Sequence, residues 1–163
     1  MLHLFWRCRV VLLIACLTAA SGCTPQTTSD AAPAPPPRAV PVEILSQAAG
    51  QNLSVDAYGL NLIDRRAFTD LGLAAVFSEQ GFEVDFQSHS VVLLSLGEQP
   101  SGGYSAQITA LQRKGPELFV QATAVAPGPS DVVTTQMTTP YTAVVTPKLP
   151  SNLKLRSDIT SLP

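Results

Sequence analysis

The sequence predicts an α+β, mostly β fold: a small antiparallel sheet or β-sandwich-like domain with one packed helix, preceded by a signal peptide and a Pro-rich tether. Three observations predict it. From Ser90 onward the apolar residues follow strand periods, first as the unbroken run "SVVLLSLG", then as the alternating "GYSAQITALQ" and "ELFVQATAV", and last as "YTAVVTPK". The linkers "RKGP", "PGPS" and "TTP" are short and made of turn residues, which suits antiparallel neighbours. One stretch, "RRAFTDLGLAAVF", carries a helical pattern with Asp64 standing before it.

In chain order, Arg7 and Arg9 precede the apolar run Val10 to Leu17, and small residues follow up to Cys23. A basic segment, a short apolar segment and a small-residue cut form a secretory signal peptide, here residues 1–22. The apolar run is far shorter than the roughly 20 residues a spanning helix needs. Residues 23–41 read as the tether, because proline favours extended geometry and gives no N–H to a core. Residues 42–163 read as one globular domain, a length that supports one modest core.

Within that domain Val42 to Leu45, Leu53 to Val55 and Leu60 to Ile63 are short strand candidates. Asp64 is an N-cap, its carboxylate accepting a free backbone N–H of the first turn. Phe68, Leu71 and Ala75 fall on one helical face, while Gly72 lowers helix propensity by about 1 kcal/mol. The run "SVVLLSLG" predicts a central strand covered on both faces. In the next strand Tyr104, Ala106, Ile108 and Ala110 share a side; in the one after it Leu118, Val120, Ala122 and Ala124 do, with Phe119 opposite. "NLKL" adds a weak edge strand.

The connection "GEQPSGGY", residues 97–104, is longer and more specialised than a hairpin turn requires. Pro100 stiffens it, Gly102 and Gly103 can take positive φ, and Ser101 and Tyr104 add polar groups. It is either a bulged hairpin that sets Tyr104 at the core edge or a presented recognition loop. Tyr141, after Pro140, either joins Tyr104 in an aromatic patch or is a buried anchor.

Composition narrows the chemistry. The cysteines are Cys8, Cys16 and Cys23, so cleavage before Cys23 would leave a chain whose one cysteine is its first residue. A disulfide, a cysteine nucleophile and a thiolate metal site are then excluded. His89 would be the one histidine left, without a second His or Cys at ligand spacing, so no metal is expected. The serines lack a triad, no phosphate-binding loop is present, and no catalytic residue or cofactor is expected. Asp85 is read as structural, accepting backbone N–H groups at a strand entrance. Loss of Arg7 and Arg9 shifts the formal net charge from −2 to about −4. The basic residues are few and scattered, which argues against a nucleic-acid partner.

Resemblances to known patterns extend this reading. "LTAASGC" resembles a bacterial lipobox, although Ala20 stands where leucine is commoner. It implies lipidation at Cys23 and a membrane anchor, since each buried methylene contributes about 0.8 kcal/mol. Thr24 in place of aspartate resembles the pattern of lipoproteins sorted to the outer membrane. The segments "VDFQSHSVVLLSLGEQPSGGY", "ELFVQATAVAPGPS" and "TTPYTAVVTPK", in that order, resemble the PrcB C-terminal domain family over residues 84–148. The positions that carry the likeness are Val84, Asp85, Phe86, Gly97, Pro100, Ser101, Gly103, Tyr104, Pro127, Thr138 or Thr139, Pro140, Tyr141, Pro147 and Lys148. Serine at 101 replaces the commoner threonine and keeps the hydroxyl. The resemblance implies a non-enzymatic envelope lipoprotein that binds or stabilises a protein partner such as a surface or periplasmic protease. The alternative is a protease inhibitor acting through residues 99–104, a loop similar to one in chagasin-like inhibitors.

Overall fold

The computed structural model describes residues 36–53 and 59–162. The signal peptide, Cys23, the tether up to residue 35 and all of the Leu53–Val55 strand candidate except Leu53 lie outside the described residues. The described elements run β1 (Val40–Val42), β2 (Ser46–Gly50), β3 (Gly59–Ile63), α1 (Arg65–Asp70), α2 (Leu73–Glu79), β4 (His89–Ser95), β5 (Ser105–Lys114), β6 (Glu117–Val125), β7 (Tyr141–Pro147) and β8 (Lys154–Leu162). They form two four-stranded sheets, ordered β1-β5-β6-β8 and β2-β7-β4-β3.

The order of layers follows from the apolar runs. Residues 90–95 of β4 and 141–146 of β7 are all buried. Val91, Leu93, Ala143 and Val145 pack with Phe68, Leu73 and Phe77 of the two helices. Their neighbours Val92, Leu94 and Val144 face the other way, onto Ile108, Leu111, Leu118 and Val120 of the first sheet. The β2-β7-β4-β3 sheet is therefore a middle layer, with helices on one face and a second sheet on the other. Each fully buried Val, Leu or Ile side chain in it contributes about 1.5–3 kcal/mol relative to exposure. The fold is mostly β with a helical layer, as the sequence predicts.

Several expectations change in detail. The single expected helix is two. Asp64 Oδ1 accepts the Ala67 N–H at 2.8 Å and starts α1. Gly72, at φ 72°, then turns the chain into left-handed geometry and starts α2 in a new phase. Leu73 and Phe77 consequently face the core, while Ala75 is exposed. The Val42–Leu45 strand is replaced by β1 and β2 in different sheets, with residues 43–45 crossing between them. Val40 and Pro41, assigned to the tether, pair with Arg113 and Gln112. Proline is tolerated there because β1 is an edge strand, where a ladder donor can be missing. A bulge in β5 between Ile108 and Ala110 shifts the register. The inward series therefore becomes Ala106, Ile108 and Leu111, and Ala110 loses its place. The second half of "NLKL" begins the nine-residue β8, which runs parallel to β6.

Candidate functional site

The stretch 97–104 leaves β4 in the middle sheet and arrives at β5 in the outer one. It is a crossover between layers, so the hairpin alternative for this loop does not describe it. Residues 126–140 make the return crossing from β6 to β7, and the two loops are laced together. Gln99 and Thr138 exchange backbone bonds, Gln99 N–H to Thr138 O at 2.7 Å and Thr138 N–H to Gln99 O at 3.0 Å. Gly102 N–H donates to Thr134 O at 3.0 Å, and Leu96 N–H to Pro140 O at 3.0 Å. The Thr138 hydroxyl donates to Ser101 O at 2.8 Å. On the far side Thr139 N–H donates to Gln51 O at 2.7 Å, tying in the chain after β2.

Close packing explains the glycine pair. At Gly103, with φ 89°, a Cβ would stand 2.8 Å from Val133 Cγ1 and 2.9 Å from Pro127 Cβ. At Gly102 it would stand 2.6 Å from Thr134 Oγ1. The glycines thus make room for the side chains of the facing loop, and the loop is held by its neighbour along most of its length.

The sequence-predicted residues separate on this frame. Pro100 and Gly103 are exposed, Ser101 and Tyr104 are half-buried, and Gly102 is buried. Pro140 is buried beneath the loop. Tyr141 does not join Tyr104 in a patch. It lies in the helix-side core, 7% exposed, stacked over Gly50, where a Cβ would come within 2.7 Å of its ring. Burial raises its phenol pKa above the usual tyrosine value. Tyr141 therefore belongs to the second alternative, a buried anchor, and leaves the candidate binding loop. Sequence reasoning missed Val132 and Met137, 102% and 58% exposed, on the loop that clamps 97–104. The available signal was their apolar character inside the polar stretch "DVVTTQMTTP".

A second cluster lies on the helix side. Asp85 closes the turn before β4: its carboxylate accepts Gln87 N–H at 3.0 Å and the Ser88 hydroxyl at 2.8 Å. Its backbone N–H donates to His89 Nδ1 at 3.2 Å, which places the neutral ring's proton on Nε2. Phe86 packs edge-on against Phe68, ring centroids 5.3 Å apart, with the Arg65 guanidinium 5.7 Å above its own ring. The Lys148 ammonium donates to the Phe86 carbonyl. A groove of about 520 Å³ runs between the helices and Phe82, Val84 and Phe86. Among the described residues no three His, Cys, Asp or Glu side chains converge as metal ligands.

The Gln87 N–H bond, then the Ser88 hydroxyl, hold the Asp85 carboxyl below its ordinary value. A carboxyl depressed in the folded state stabilises the fold above its unfolded pKa of about 3.9. That contribution is lost as pH falls through the lower folded value. Urea unfolding from pH 5 to pH 2 is expected to show wild type more stable than Asp85→Asn at pH 5. The gap should close below about pH 4, and a gap unchanged at pH 2 would count against the carboxylate's role in the turn.

The family model described as PrcB C-terminal matches residues 90–147. The match starts at the second residue of β4 and ends at the last of β7, and so takes in the inner strands of both sheets and both laced loops. No curated protein and no solved structure matches the chain.

Proposed function

We propose, from the match of residues 90–147 to the PrcB C-terminal family model, that this chain is a lipid-anchored subunit of the bacterial cell envelope that binds and stabilises a partner protein without catalysing a reaction. Likeness to this family implies association with a protease complex, so the partner is proposed to be an envelope protease. Lipidation at Cys23 would hold the domain at the membrane, and the proline-rich stretch would lift it off the surface.

The observation that carries the binding role is the pairing of a braced loop with exposed apolar side chains. Val132 and Met137 stand out to solvent from a segment hydrogen-bonded to residues 99–102. A surface held in one shape loses less entropy when a partner docks, and apolar groups there gain from being covered. A second reading, protease inhibition, is favoured by the exposure of Pro100 and Gly103 on that same braced loop.

Retrieval of the full chain from detergent-solubilised membranes, followed by mass spectrometry, tests the proposal. Wild type should bring down an envelope protease, and Met137→Glu with Val132→Glu should not. Cys23→Ala should move the chain from the membrane to the soluble fraction. Added chain should raise the partner's unfolding temperature, as ligand at 100 times Kd adds about 2.7 kcal/mol. A protease captured blocked, and released by Tyr104→Ala, would favour inhibition. If no protein is enriched above the Cys23→Ala control, the binding role fails.

A further inference from the structure

We infer that β8 is a dimerisation edge, and that a second copy of this chain adds its own β8 antiparallel to it. Nine residues, Lys154–Leu162, form the outermost strand of the β1-β5-β6-β8 sheet. Its register with β6 is unbroken from Glu117↔Lys154 to Val125↔Leu162, so no bulge turns the edge away. No proline or glycine lies within it. Edges of this length are ordinarily shielded by such devices.

The backbone sets which groups are free. Lys154 N–H donates to Pro116 O, and Leu162 O accepts from Ala126 N–H. Even-numbered residues of β8 therefore turn their N–H and C=O toward β6. Alternation along a strand leaves those of Leu155, Ser157, Ile159 and Ser161 pointing to the open side. An antiparallel partner must pair these odd positions with each other.

Side chains then select the two-fold axis. An axis at Ser157 sets Leu155 opposite Ile159 of the second copy, twice, on the face that carries buried Leu118 and Ala122. Ile159, 36% exposed in the single chain, gains an apolar neighbour. On the other face the same axis sets Arg156 opposite Asp158, also twice. An axis at Arg156 or at Asp158 would instead place like charges face to face across the dyad. Arg156 Nε is already 3.3 Å from Glu117 Oε1 in its own copy, but a guanidinium has further donors for a second carboxylate. The charges on this edge, which alone would read as a guard, are self-complementary in one register.

The full chain, purified in detergent with micelles in excess over protein, is to be weighed by sedimentation equilibrium. Wild type should be in monomer–dimer equilibrium. Arg156→Asp turns two attractions into two repulsions and should weaken the dimer roughly tenfold. The double swap Arg156→Asp with Asp158→Arg should restore it. Position 156 faces Glu117 with the same carboxylate in both variants, so relief of that contact cannot account for the rescue. Ser157→Pro removes an N–H that β6 does not use and should abolish the dimer; if it unfolds the chain, the charge swaps still decide. A monomer at every concentration, or a dimer as tight in Arg156→Asp as in wild type, overturns the inference.

Discussion

Replacing Phe77 with alanine is expected to cost more stability than any other single truncation in the helical layer, about 3–5 kcal/mol. The ring is 1% exposed. Its centroid is 5.8 Å from that of Phe68 and 6.5 Å from that of Phe82. Phe68 in turn meets Phe86, so Phe77 sits inside a chain of rings that joins α1, α2 and the 82–86 segment to the middle sheet. Each favourable aromatic pair adds about 0.5–1.5 kcal/mol beyond area burial. The hole left by truncation is walled by β4 and β7, which pack on both faces and cannot collapse into it freely. Small domains are stable by only about 5–15 kcal/mol in total, so urea unfolding should show a midpoint far below wild type. Phe119→Ala is the control: that ring is 37% exposed on the outer face of β6. Equal losses in the two variants would mean that the helices do not unfold together with the sheets.

Gly103→Val is expected to have the second-largest effect, and a different character. The φ of 89° is outside the range a β-branched residue accepts. Left-handed backbone costs an L-residue about 1–2 kcal/mol. The new side chain must also displace Val133 and Pro127, which adds the roughly 1–3 kcal/mol of an overpacked site. The strain falls on the contact between the two crossovers and not on the layered core. Partner capture should therefore fail at temperatures where circular dichroism still reports an intact β fold. Capture at wild-type levels by a folded Gly103→Val chain would show that the braced loops are not the docking surface.

Much of the fold was legible because some signals are local. Asp64 starts a helix through a bond three residues ahead, and the apolar run of β4 can be accommodated only by a strand covered twice. The helix break at Gly72 was visible as a weak position but not as a break. A single glycine does not say whether it is merely tolerated or used for its positive φ. The bulge in β5 was hidden for a related reason: strict alternation in the sequence gives no sign of an extra residue, which only the partner strand reveals. At the candidate site, Pro100, Gly102 and Gly103 announced a shaped loop. Tyr141 could not be placed, because its burial depends on Gly50, distant in sequence and its direct register partner where β2 pairs with β7.

By itself the sequence determined most element types, the helix start, the doubly covered β4 strand and the existence of a shaped loop at 97–104. Each of these rests on contacts between residues close in the chain or on one side chain's intrinsic preference. Only the tertiary structure decided which sheet each strand joins, that residues 97–104 and 126–140 are opposite crossovers locked to each other, and that β8 runs parallel to β6. Strand period is the same whichever neighbour a strand finds, so partner choice comes from long-range packing of both faces of the middle sheet.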